Sequence, residues 1–186
     1  IWPAIFEGAE LVGAWRARGA GRSDGSAGGL REHSDRPGWS RASTLSVVAG
    51  ALMLVCPFLV SPAIARYLAA PVWLGFIFLL DPINASLGAA SLVGDWRAGR
   101  TSRLTNLLLS GLLCGVLWEF WNYWSGAKWH YSVPIMEHVK IFEMPLPGYF
   151  GFPPFALECF TMYVFIRAMW NRLRHEDAAR GREIAL

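Results

Sequence analysis

Glu119 and Glu158 each sit inside a run of otherwise apolar residues. Between them the chain carries Asn122, Lys128, His130, Glu137, His138 and Glu143 among tryptophans, tyrosines and phenylalanines. An ionisable side chain in hydrocarbon is expensive unless it is paired, protonated or wetted, so such residues mark a functional site by default. Two carboxylates whose surroundings separate their proton affinities can act as acid and base. Glu119 and Glu158 are therefore expected to be proton donor and acceptor, with Asn122 and His130 orienting them.

Glu119 and Asn122 share a helix face at a spacing of i to i+3, and Cys114 and Gly115 leave space one turn earlier. Glu158 comes soon after the pair Pro153 and Pro154, a placement that suits the first turn of a helix. The two carboxylates are accordingly expected to meet at similar depth. Trp118, Trp121, Lys128, Trp129, Tyr131 and Glu143 are expected to line the substrate-binding part of this site. The spacing of Trp118, Trp121 and Trp124 also fits an interfacial aromatic belt. Glu119 equally fits a structural ion pair with Lys128 or His130.

Glu137 and His138 are adjacent, do not converge on a helix, and are expected to face solvent. No H-x-x-x-H or E-x-x-H spacing occurs, so no metal centre is expected. Cys56, Cys114 and Cys159 lie in separate apolar runs without C-x-x-C spacing and read as small packing residues. Nucleophile motifs, phosphate loops and Asp-rich diphosphate pairs are also missing, and no cofactor is expected.

The elements that hold these groups must be membrane helices. The 186 residues are 54% hydrophobic and only 17% charged, with a mean hydropathy of +0.31, which disfavours a soluble domain. Four runs approach the roughly 20 residues that a spanning helix needs: 44–60, 68–84, 104–124 and 150–170. A hairpin over 44–80, broken at Pro57, Ser61 and Pro62, is the alternative for the first two.

Residues 1–15 read as the end of a helix that begins upstream, and 16–42 as a flexible linker rich in Gly, Ser and Arg. No signal peptide or internal repeat is evident, which leaves no case for an inverted-repeat transporter. Residues 125–149 are too long for a turn and too aromatic for an exposed loop; Pro134, Pro145 and Pro147 prevent one continuous helix. They are expected to fold back as an interfacial or re-entrant cap. The tail 171–186 reads as a solvated helix end.

An even number of crossings places fourteen of the seventeen Lys and Arg residues on one side and only Arg66, Lys128 and Lys140 on the other. The positive-inside rule makes 16–42, 85–103 and 171–186 cytoplasmic and the cap external. This charge pattern serves topology and argues against a nucleic-acid partner. A second polar set, Asp81 and Asn84 in DPIN with Glu7 and Glu10, belongs to the cytoplasmic end. There Asp81 and Pro82 are expected to end the second span and cap the segment after it.

The runs WEFWNYW, KWHYSVP and FEMPLPGYFGFPPFALE, with LGFIFLLDPIN, resemble an uncharacterised family of bacterial polytopic membrane proteins over about residues 73–170. The resemblance implies a bacterial inner membrane and supplies no activity. FEMP and PPFALE are also faintly similar to membrane carotenoid cyclases and hydratases, where acidic residues beside prolines protonate a polyene. That family's paired-glutamate signature is missing here.

The combined expectation is an all-α, polytopic inner-membrane bundle with a carboxylate-lined pocket near the outer face. It would bind membrane lipid and act by acid and base chemistry on a lipid or isoprenoid ligand. The alternatives are a non-enzymatic subunit or assembly factor with a membrane-protein partner, and a small proton-coupled transporter.

Overall fold

The computed structural model describes residues 2–19, 38–131, 136 and 138–184. It is all-α: α1 (Trp2–Gly19), α2 (Arg41–Leu59), α3 (Pro62–Ala65), α4 (Ala69–Ser86), α5 (Leu92–Arg97), α6 (Ser102–Trp124), α7 (Leu146–Tyr149) and α8 (Phe152–Ile184). The only described sheet is a two-residue antiparallel ladder in the cap, β1 (Lys140–Ile141) and β2 (Met144–Pro145), with Ile141 opposite Met144. Four segments, Arg41–Leu59, Ala69–Ser86, Ser102–Trp124 and Leu146–Arg174, are long and apolar enough to cross a membrane.

The helix ends obey local chemistry. Ser40 caps α2 by accepting from Ser43 N at 3.1 Å, and Ser91 caps α5 by accepting from Gly94 N at 2.8 Å. Gly88 and Gly99 end α4 and α5 in the left-handed region, at φ 75° and 69°. In both, the next amide reaches back inside the helix: Ala89 N to Asn84 O at 2.9 Å, Arg100 N to Asp95 O at 2.8 Å.

Two sequence expectations change here. Residues 16–19 and 41–42, expected in the linker, belong to helices, because α1 runs on to Gly19 and α2 begins at Arg41; residues 20–37 lie outside the described residues. Asp81 and Pro82 also do not end the second span, since α4 continues to Ser86. Pro82 lacks an N–H and leaves the Phe78 carbonyl without its helical donor. Ser46 of α2 replaces that donor, giving its hydroxyl proton to Phe78 O at 2.8 Å.

Helix α2 packs on α4, α4 on α8, α8 on α6, and α6 on α1. Lipid provides no hydrophobic drive between helices, so close approach over small residues carries the association. An added Cβ at Gly50 would lie 2.6 Å from Gly75 O, one at Gly111 2.5 Å from Phe152 O, and one at Gly8 2.4 Å from Ser110 Oγ. Ser110 also donates to Ile5 O at 2.6 Å, which ties α1 to α6. The apolar core joins Ile5, Leu107, Ala156, Cys159, Phe160 and Val164 from α1, α6 and α8.

These contacts fix the register. Gly111 faces Pro153 and Ala156, and Gly115 faces Phe152, so α6 and α8 run antiparallel. Gly151 lies under Trp73, and Asn84 meets Thr161, so α4 and α8 run parallel. One end of the bundle collects Arg16, Arg18, Arg97, Arg100 and Arg103; the other carries the aromatic cap.

Candidate functional site

The last buried face of α6 is Gly111, Gly115, Glu119 and Asn122, spaced by four, four and three residues. Glu119 is completely buried. Tyr131, returning in the cap, donates its phenol proton to Glu119 Oε1, and Trp118 Nε1 donates to the same phenol oxygen at 3.2 Å. Glu119 Oε2 is buried and has no hydrogen-bond partner among the described residues. A buried acceptor left without a partner costs about 1–3 kcal/mol. This oxygen is therefore the one buried side-chain acceptor at the cap end, among the described residues, that a proton or a ligand donor would meet without a partner.

The remaining polar groups hold the cap in place. Asn122 donates from Nδ2 to Trp129 O at 3.0 Å and accepts from Trp129 N at 2.7 Å, completing both backbone groups of that residue. Lys128 pairs with Glu143 at 2.6 Å and lies 5.2 Å from the Tyr123 ring centroid. Tyr149 donates to Ile141 O at 2.9 Å, which closes α7 on the hairpin. Lys128 first, then His130 and Lys140, hold the Glu143 carboxyl below its usual range.

The arrangement around Glu119 departs from the sequence expectation at Asn122, Lys128, His130 and Tyr131. Asn122 does not orient Glu119, because both ends of its amide are used on the cap backbone. Lys128 and His130 do not pair with Glu119: both go to Glu143, His130 at 3.6 Å from it and 73% exposed. Tyr131, expected only to contact substrate, is instead the hydrogen-bond donor to Glu119. Trp121 and Trp129 are each 66% exposed and Trp118 44%, positions that match the aromatic belt better than a closed pocket. Glu137 and Pro134 lie outside the described residues, while His138 is exposed.

Glu158 does not meet Glu119. With Gly111 against Ala156, Glu158 comes level with Leu109, about ten residues or about 15 Å along α6 from Glu119. The reason is that α6 extends past the start of α8, so the turns around Glu119 are covered by α7 and the hairpin. Glu158 instead lies on the side of α8 that turns towards α4, in line with Gly151 just before the helix and one turn before Thr161.

A second polar cluster occupies the arginine end. Both oxygens of Asp81 accept from the first turn of α5, Leu92 N at 2.6 Å and Val93 N at 2.9 Å. Arg100 and Arg103 both pair with Asp95 of α5, and Arg103 stacks 5.4 Å from the Phe160 ring centroid. Asp81 thus caps the next helix, as the sequence suggests, from within a continuing one. Asp95, Arg103 and Thr161 carry no spacing signal that marks them in advance. A cavity of about 140 Å³ beside this cluster is lined by Trp39, Ser43, Ser46, Pro82, Val93 and Arg97. No group of three or more metal-ligating side chains occurs among the described residues.

Burial first, then the hydrogen bond to Glu119, pushes the Tyr131 phenol up to about 12. Its folded affinity for the proton exceeds the unfolded one, so its contribution to stability is complete below about pH 10 and is lost as pH rises towards 12. Ultraviolet titration of phenolate absorbance is expected to show one tyrosine ionising near pH 12 that disappears in Tyr131→Phe. Equal titration curves for the two proteins would place the phenol in water.

No protein-family model, curated protein or solved structure matches the chain, so the reading of the site rests on the geometry of Glu119 and its neighbours.

Proposed function

We propose that this chain is a membrane enzyme that moves protons on an apolar or amphiphilic lipid, of the isoprenoid type, at the cap end of the bundle. The observation that carries the reading is the completely buried Glu119, with one oxygen fixed by Tyr131 and the other without a partner among the described residues. A carboxylic acid in that position can give its proton to an unsaturated carbon of the lipid. The resulting carboxylate then takes a proton from a neighbouring carbon, which amounts to isomerisation or cyclisation and consumes no co-reactant. Tyr131 keeps its own proton at neutral pH and donates to the carboxylate at the moment it becomes charged. The exposed rings of Trp118, Trp121, Trp129 and Phe150 provide the aromatic surface along which a lipid chain approaches.

The arginine distribution favours a cytoplasmic arginine end and an external cap, and the resemblance to bacterial polytopic proteins favours an inner membrane. Mass spectrometry of lipids copurifying with the wild-type protein and with Glu119→Gln tests the reading. The two are expected to carry a common unsaturated lipid, with its isomer or cyclised product present only in the wild type. Bulk phospholipid alone in both, together with a stably bound protein, would favour a membrane subunit. That second reading is supported by Asn122 and Glu143, which hold the cap as a fixed surface.

A further inference from the structure

Helix α1 carries two acidic residues, Glu7 and Glu10, into the depth of the spanning helices. Its small residues meet α6: an added Cβ at Gly8 would lie 2.4 Å from Ser110 Oγ and one at Gly13 2.7 Å from Asn106 Nδ2, so the two helices run antiparallel. Ser110 donates to Ile5 O at 2.6 Å, and the Phe6 ring lies 5.1 Å from that of Tyr163 of α8. Ser110 is about 12 Å along the spanning helix α6 from its first residue, Ser102. This register carries Glu10 about 9 Å and Glu7 about 13 Å in from the arginine end.

At about 3.6 residues per turn, Glu7 and Glu10 point away from Ile5, Ala9 and Gly13, which face the bundle. Both are exposed, as are Leu11 and Ala14 beside them, and neither carboxylate has a hydrogen bond or ion pair among the described residues. The basic residues of α1 do not reach them. Arg16 donates to Asn106 Oδ1 at 2.7 Å on the α6 side, and Arg18 lies about 12 Å beyond Glu10. At this depth an exposed side chain faces hydrocarbon, where two carboxylates are costly until they are neutralised. A proton would remove each charge but leave the carboxyl without hydrogen-bond partners in lipid. The ammonium or guanidinium of a neighbouring helix supplies both the charge and the donors.

We propose that the outer face of α1 is an interface within the membrane for a helix of another protein, one that brings a lysine or arginine to the depth of Glu7 and Glu10. A second copy of this chain does not fit. Every described Lys and Arg lies at one end of the bundle or the other, and a symmetric contact would set the two carboxylates against themselves. The interface is independent of Glu119, which lies on α6 towards the cap.

A photoreactive benzophenone amino acid placed at Ala14 of the full chain, irradiated in the native membrane, tests this. The expected adduct joins α1 to a spanning segment of a second protein, and its cross-linked peptide contains lysine or arginine. The double variant Glu7→Gln, Glu10→Gln, which leaves the α6 side of α1 untouched, is expected to lower the adduct by at least about tenfold, the scale of a broken charge pair. Glu7→Lys with Glu10→Lys should abolish it, and replacing the partner's basic residue with glutamate should restore it. Should the lysine variant fail to insert, the glutamine variant is combined with a leucine in place of that basic residue, and the two neutral faces are expected to associate again. Adducts with lipid alone or with another copy of this chain overturn the proposal, as does a protein adduct whose yield ignores the charges of Glu7 and Glu10.

Discussion

Glu119→Gln is expected to slow turnover of the copurifying lipid by at least about 100-fold, the scale of a lost general acid or base, while leaving insertion and helix content unchanged. Glutamine has the shape of the acid and keeps a carbonyl oxygen to accept from Tyr131, so the contact between α6 and the cap survives. Its amide nitrogen takes the place of Oε2, which has no partner among the described residues, and cannot release a proton to carbon. Tyr131→Phe should produce a smaller loss, because it removes the donor that steadies the carboxylate but leaves the acid itself. Circular dichroism and a rate measured on the same preparations separate the two effects. A Glu119→Gln protein that turns over at the wild-type rate would reassign Glu119 to helix packing.

The largest effect on stability belongs to the other end of the bundle. Asp81→Ala removes the acceptor of two backbone N–H groups at once, Leu92 N and Val93 N, at a site where Asp81 itself is 1% exposed. A buried donor left unsatisfied, as Leu92 N would be, costs about 1–3 kcal/mol and the partly buried Val93 N less, so a loss of about 2–4 kcal/mol is expected, with α5 detaching from α4 first. Asp81→Asn, which keeps one oxygen, should lose about half as much. Denaturant or thermal unfolding of the purified protein measures the cost, and hydrogen exchange at Leu92 and Val93 locates it. An Asp81→Ala protein of wild-type stability would mean that water replaces the carboxylate and that α5 is not held by this cap.

The spanning helices were legible in the sequence because a long apolar run is a strong signal in lipid, and the other structure that satisfies the backbone there, a closed barrel, needs short alternating segments instead. The separation of DPIN from the aromatic cap was also legible, since alternating arginine clusters order the ends of successive helices. The position of Glu158 was not. A proline pair allows a helix to start at that point, but depth depends on how far the neighbouring helix extends beyond it, and that is set by Gly111 and Gly115 against residues 152–156. The continuation of α4 through Pro82 was similarly hidden, because its compensating donor, Ser46, lies on another helix. Asn122 and Tyr131 carried the right residue types for a polar site. Their partners, the Trp129 backbone and Glu119, are chosen by the path of the cap, on which local propensity is silent.

Proton transfer to carbon leaves a mark that does not require the lipid to be known in advance. The wild-type protein, reconstituted in a total lipid extract from its native membrane and incubated in deuterium oxide, is predicted to introduce carbon-bound deuterium into an unsaturated lipid, with Glu119→Gln introducing none. Absence of deuterated lipid with the wild type, or equal incorporation by the two proteins, would contradict the assignment of Glu119 as the proton-transfer residue.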